Sequence, residues 1–109
     1  MSYSVKTIDV FERQAARLQK KFASLNEDLK KLQDKLRENP RLGSPIGNDC
    51  YKIRMAIRSK GKGKSGGARV ITCVQVIENS VYLIAIYDKS EQEDISNKEL
   101  SSLLSFIPK

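Results

Sequence analysis

The hydrophobic period of this chain changes once, at Asn39-Pro40, and that change limits the folds open to it. Before it, apolar residues recur every three or four positions. Phe11, Ala15, Leu18 and Phe22 form one stripe, and Leu25, Leu29, Leu32 and Leu36 form a second. Each stripe predicts an amphipathic helix. After Pro40 the period is two. Tyr51, Ile53, Met55 and Ile57 alternate with Lys52, Arg54, Ala56 and Arg58, as in a strand with one apolar and one basic face. Residues 68–77 are apolar on both faces, as a central strand must be, and residues 81–87 make a further strand. Helices followed by strands, without βαβ alternation, predict an α+β fold with an antiparallel sheet.

The boundaries follow from local signals. Residues 4–8 are short and β-branched and read as a first strand. Asp9 with Glu12, Ser24 with Glu27, and Ser96 with Glu99 have the spacing of a capping box. Almost nothing separates the first two helices, so they should lie antiparallel as a hairpin. Their charged outer faces read as solvated surface. Residues 40–49, with two Pro and two Gly, read as loop, as do residues 59–67. Glu78-Asn79-Ser80 reads as a tight reversal. Leu100, Leu103, Leu104 and Ile107 predict a short C-terminal helix. The expected order is β-α-α-β-β-β-α in one domain over residues 1–109, the sheet packing on the helical hairpin. Pairing Ile77 with Val81 across the reversal would set Arg69 opposite Lys89.

Charge locates a function. Residues 51–77 hold seven basic side chains (Lys52, Arg54, Arg58, Lys60, Lys62, Lys64 and Arg69) and no acidic one. The whole chain carries +7, and outside this stretch thirteen basic residues balance thirteen acidic ones. So localised a cationic footprint suits a polyanion. Arg58, Lys60, Lys62 and Lys64 are candidate RNA-phosphate contacts. The Gly/Lys loop is not a nucleotide-binding phosphate loop: Gly63-Lys64-Ser65 would need a glycine where Arg58 stands, and a strand follows instead of a helix. Arg69 also admits a plainer reading, as a surface arginine paired to Asp88.

There is no histidine, which removes the commonest general base and the commonest zinc ligand. Cys50 and Cys73 lack metal spacing and read as small buried hydrophobes in a reducing, cytoplasmic setting. No secretory or membrane-spanning segment is apparent, and neither a metal nor a small-molecule cofactor is expected.

The runs CYKIRMA, GKGKSGGARVI and YLIAIYDKSE resemble the RelE/ParE superfamily of bacterial type II toxins, in particular its RelE/HigB-like branch. The resemblance covers essentially the whole chain, and the expected element order is also that family's. It implies a cytoplasmic toxin, neutralised by a cognate antitoxin protein, that cuts mRNA on the ribosome. ParE members instead inhibit DNA gyrase, and a non-catalytic RNA-binding module is a third reading. Carried over by position, the family's catalytic basic residues fall on Lys52, Arg54, Arg69 and Lys89. The tyrosine that some members carry near the last helix falls at Ile95, and Tyr87 is the nearest tyrosine. Without a metal cluster, scission would use the RNA's own 2′-OH. Lys52 is then the candidate base, since neighbouring cations favour loss of its proton. Arg69 suits a phosphate clamp, and Lys89 an acid or second clamp.

Overall fold

The two apolar stripes become α1 (Asp9–Lys21) and α2 (Leu25–Glu38) in a computed structural model that describes residues 2–108. Phe11, Ala15 and Leu18 are buried from the first, and Leu25, Leu29, Leu32 and Leu36 from the second. Strand β1 (Ser4–Thr7) precedes them. After them come β2 (Ser44–Gly47), β3 (Cys50–Met55), a 3-10 turn at Arg58–Lys60, β4 (Ala68–Gln75), β5 (Ser80–Asp88) and α3 (Asn97–Leu104). No helix among the described residues is long and apolar enough to cross a membrane.

Only one of the three expected capping boxes has its side-chain cap. Ser96 Oγ accepts from the Glu99 N–H at 3.0 Å. In α1 the N-cap is Ile8, so Asp9 lies within the first turn and only complements the helix dipole. Ser24 turns its hydroxyl to Asp28 and Ser59 instead of its own helix end.

The sheet order is β1-β5-β4-β3-β2. Three ladders are antiparallel, as expected. The fourth is not: β1 runs parallel to β5, with Ser4 opposite Ser80, and makes the sheet mixed. The helical hairpin is the crossover that carries the chain away from β1. Strand β2 lies inside the segment read as loop. Pro45 fits there because an edge strand leaves N–H groups unpaired. Asn48 and Asp49, at φ 57° and 59°, then close the turn into β3.

Strand β4 is buried along nearly its whole length, and β5 along all of it. The α1–α2 hairpin covers the face that bears Asp88, where the Lys21 ammonium lies 3.7 Å from that carboxylate. Helix α3 covers the opposite face, which bears Cys73, through Leu100, Leu103 and Ile107. Past the end of β1, the Ile86 N–H donates to Gln14 of α1 at 2.9 Å.

The loop between β3 and β4 closes back on the sheet at Gly67. A Cβ there would clash with the Met55 carbonyl oxygen. Gly67→Ala is therefore expected to cost about 2 kcal/mol, as overpacking does, read as a lower urea midpoint. Gly61→Ala should cost less, about 1 kcal/mol: its φ of 72° is strained for alanine, but nothing lies within 4 Å. Equal costs at the two positions would show that close approach at Gly67 does not matter.

Candidate functional site

The β3–β4 ladder sets Arg54 opposite Arg69 and Lys52 opposite Ile71. The β4–β5 ladder sets Arg69 opposite Tyr87. Partners in a ladder share a face, so Lys52, Arg54, Arg69 and Tyr87 come together on one side of the sheet.

This register differs from the expected one, which put Lys89 opposite Arg69. Val76 and Ile77 belong to the turn, where Ile77 is fully exposed, and Asn79 at φ 52° completes it. The strands therefore begin to pair at Gln75 and Ser80. A bulge then leaves Ile84 unpaired, since Ile71 faces Ala85 while Thr72 faces Leu83. Lys89 lies just past β5, where its N–H donates to the Gly67 carbonyl at 3.0 Å. It still borders the same site.

Each of these side chains has a distinct environment. Arg54 is exposed, and no carboxylate of the described residues pairs with it. Arg69 is buried and does not pair with Asp88, which lies on the other face. Its guanidinium donates to the carbonyls of Lys64 at 3.1 Å, Ser65 at 3.2 Å and Ala68 at 3.3 Å. Arg69 thus holds the end of the Gly/Lys loop, and its charge faces carbonyl dipoles but no carboxylate of the described residues. Lys52 Nζ lies 3.1 Å from Asp94 Oδ1. The Ile95 N–H and then Lys52 hold the Asp94 carboxyl below its ordinary range. Lys89 Nζ lies 3.7 Å from Glu93. The acidic segment before α3 therefore folds back over the basic face and occupies two of its cations.

Tyr87 brings a hydroxyl that is buried without a hydrogen-bond partner. Burial, and then the nearby Asp94 carboxylate, push its pKa up to about 12, so it holds its proton at neutral pH. Ile95, at the position where the family tyrosine was expected, is half-buried against the core.

The loop cations divide. Arg58 Nε donates to Asp28 at 2.9 Å and its Nη2 to Glu27 at 2.7 Å. Lys60 Nζ donates to Asp88 at 2.6 Å and Ser90 at 2.7 Å, against a carboxylate that is 1% exposed. Both residues, expected as RNA-phosphate contacts, tie the loop to the scaffold, and Arg58 stays half exposed along a groove beside β3. Lys62 and Lys64 are exposed.

One groove of about 620 Å³ joins the remaining groups. Lys52, Arg54, Lys64, Arg69 and Lys89 all line it. Strand β2 pairs with β3 only as far as Lys52, so the outer edge of Ile53–Met55 has no strand partner and opens onto the groove. Lys31 and Lys35 of α2 form the far wall. These two read from sequence as solvated surface. The only signal that could have singled them out is their four-residue spacing, which puts both on one helix face. The lining holds eight cationic side chains and two acidic ones, Asp28 and Glu93. Such a surface can hold a phosphate chain, with Arg54 and Arg69 opposed in the ladder and Lys52 two residues along β3.

Comparison with known proteins agrees with this architecture. The E. coli toxin RelE, solved as a double mutant in the free state, has a TM-score of 0.63 and 22% identity, covering 99% of this chain and all of that one. The toxin in the intact E. coli RelBE toxin–antitoxin complex has a TM-score of 0.61 and 24% identity, over 80% of this chain and 96% of that one. E. coli RelE bound to a RelB peptide gives 0.57 and 23%, over 94% of each chain. At these identities the likeness establishes the fold. The sequence model of the RelE toxin of the RelE/RelB toxin–antitoxin system goes further, because it matches residues 8–107, nearly the whole chain. The chain belongs to the RelE toxin family.

Proposed function

We propose that this toxin is a ribosome-dependent mRNA endonuclease, held inactive in the cytoplasm by a cognate antitoxin. The observation that carries the reading is the convergence of Lys52, Arg54, Arg69 and Lys89 on one groove. The antitoxin is proposed by analogy with the RelB-bound E. coli toxins.

In this reading the RNA 2′-OH attacks the adjacent phosphorus. Arg54 and Arg69, opposed across the ladder, stabilise the charge that develops on the phosphate oxygens. Lys52 exchanges Asp94 for the substrate and, after releasing its own proton to solvent, takes the hydroxyl proton as the neutral amine. Lys89 supplies a proton, or a second clamp, at the leaving 5′-oxygen. Lys31, Lys35 and Lys64 hold the flanking backbone through charge alone, a contribution that weakens with salt.

Toeprinting of an mRNA on translating ribosomes tests the activity. The expected result is toxin-dependent cuts whose upstream products end in a 2′,3′-cyclic or 3′-phosphate, with cleavage unchanged by EDTA at levels that spare the ribosome. Upstream products ending in 3′-hydroxyl would overturn the 2′-OH mechanism. Growth arrest without any mRNA cleavage would transfer the assignment to gyrase inhibition, and ribosome binding without cleavage or arrest to a non-catalytic RNA-binding module.

A further inference from the structure

Cys50 and Cys73 take no part in the groove, yet they are placed as a pair. They stand directly opposite each other in the β3–β4 ladder. The Val74 N–H donates to the Asp49 carbonyl at 2.9 Å, so residues 49 and 74 form a hydrogen-bonded pair. The next pair along, Cys50 and Cys73, is then of the non-hydrogen-bonded kind. There opposed Cα atoms lie about 4.5 Å apart and the side chains approach most closely. That separation is within the roughly 4.4–6.8 Å that a disulfide spans. Both thiols are free and buried. Both also direct their sulfur at one acceptor, the Asn48 carbonyl oxygen, at 3.5 Å from Cys50 and 3.7 Å from Cys73.

The two thiols are not equivalent. Cys73 Sγ accepts from Gln75 Nε2 at 3.5 Å. It also lines a cavity of about 310 Å³ beneath α3, beside Ser101 and Ser105. Hydrogen bonds from Cys50 and then, against the opposing effect of burial, from Gln75 bring the Cys73 thiol down to about 7. Its interaction with Cys73, and burial, move Cys50 upward. Thiolate character thus falls on the cysteine that borders the cavity.

We propose that Cys50 and Cys73 form a redox-active dithiol that a hydroperoxide closes into a disulfide across β3 and β4. The Cys73 thiolate attacks the peroxide oxygen. The O–O bond breaks, and an alcohol or water leaves with a proton, giving a sulfenic acid on Cys73. The Cys50 sulfur then attacks the Cys73 sulfur. The S–S bond forms, the S–O bond breaks, and water leaves with the Cys50 proton. Two thiols are oxidised by two electrons and one peroxide is reduced. The covalent ring so formed encloses residues 51–72 and with them Lys52, Arg54 and Arg69. Thiol reductants reopen it.

The test exposes the full-length folded chain to hydrogen peroxide. Intact mass and thiol titration are then read without reductant. The expected product is monomeric, lacks both thiols, is lighter by two hydrogen atoms and reverts with dithiothreitol. Its melting temperature should rise by roughly 10 °C, as closing a ring of this size constrains the unfolded chain. Cys50→Ser should stop at a dimedone-trappable sulfenic acid on Cys73. In Cys73→Ser, Cys50 should react at least about tenfold more slowly. Survival of both thiols, oxidation of one sulfur without loss of the other thiol, or crosslinks only between chains would each overturn the proposal. The wild-type mass and thiol count decide it even where a serine variant fails to fold.

Discussion

Arg54→Ala is expected to lower the single-turnover rate of mRNA cleavage about 100- to 1000-fold, the usual cost of losing one donor aimed at transition-state charge. It is expected to do so while leaving the fold as stable as before, or slightly more stable. Arg54 and Arg69 are direct cross-strand partners, and like charges so placed destabilise a ladder. Arg69 cannot be released from the pair without structural cost, because Lys64, Ser65 and Ala68 would each lose a donor. Arg54 has no such attachment. In the proposed mechanism the bound phosphate offsets this repulsion, which makes Arg54 the cleaner probe of catalysis. Arg69→Ala should lose activity and also melt lower, through its loop. Paired measurements of cleavage on ribosomes and thermal denaturation check this. Wild-type cleavage by Arg54→Ala would remove it from the mechanism, and a melting point several degrees lower would show that it supports the fold instead.

The largest expected effect on stability lies at Lys60. Lys60→Met leaves the buried Asp88 carboxylate without its nearest cation, and losing one partner of a buried pair costs about 3 kcal/mol or more. For a chain of this size that is roughly 10–20 °C in melting temperature. The double variant Lys60→Met/Asp88→Asn should recover much of the loss, since no buried charge is then stranded. The same pair governs acid stability. Burial pushes the Asp88 carboxyl up, but Lys60 and both the N–H and hydroxyl of Ser90 outweigh it and hold the group at about 2, against an ordinary 3.8. A depressed carboxyl stabilises the fold above its unfolded pKa. This contribution, about 2 kcal/mol, is complete above pH ~4 and is lost as the pH falls toward 2. Denaturant titrations across that window should show the loss in wild type and a flatter profile in the double variant. A Lys60→Met chain as stable as wild type would mean that Lys21, 3.7 Å from the same carboxylate, is partner enough.

Most of the architecture is legible in the sequence because its signals are periodic. The leucine stripe of α2 is buried at every position named, and β4 is the central strand that its two apolar faces demand. What could not be read depends on contacts between distant residues. Val76 and Ile77 look like strand, yet a turn exposes them, and nothing local marks Ile84 as the bulged residue. Pro45 suggested loop because sequence does not say which strand will lie at an edge. At the site, the resemblance to the family, carried over by position, pointed to Lys52, Arg54, Arg69 and Lys89, all of which border the groove. The partners of cations were beyond reach. Asp28 and Asp88, far away in the chain, claim Arg58 and Lys60, while Asp94 folds back onto Lys52. Lys31 and Lys35 were hidden because a helix shows its charged face but not what it overlooks.

The parallel pairing of β1 with β5 joins the first strand to the last. Such long-range closure comes late in folding, because the intervening chain must be ordered before the contact is rewarded. During synthesis the helical hairpin therefore emerges early and waits, since the strand that α1 packs against has yet to be made. The groove waits as well, because Arg69 takes its position from β4, and β4 gains its second neighbour only with Ser80–Asp88. In a nascent chain the cationic residues of β3 and of the loop after it are thus made before the groove that gathers them can assemble, which must await Ser80–Asp88.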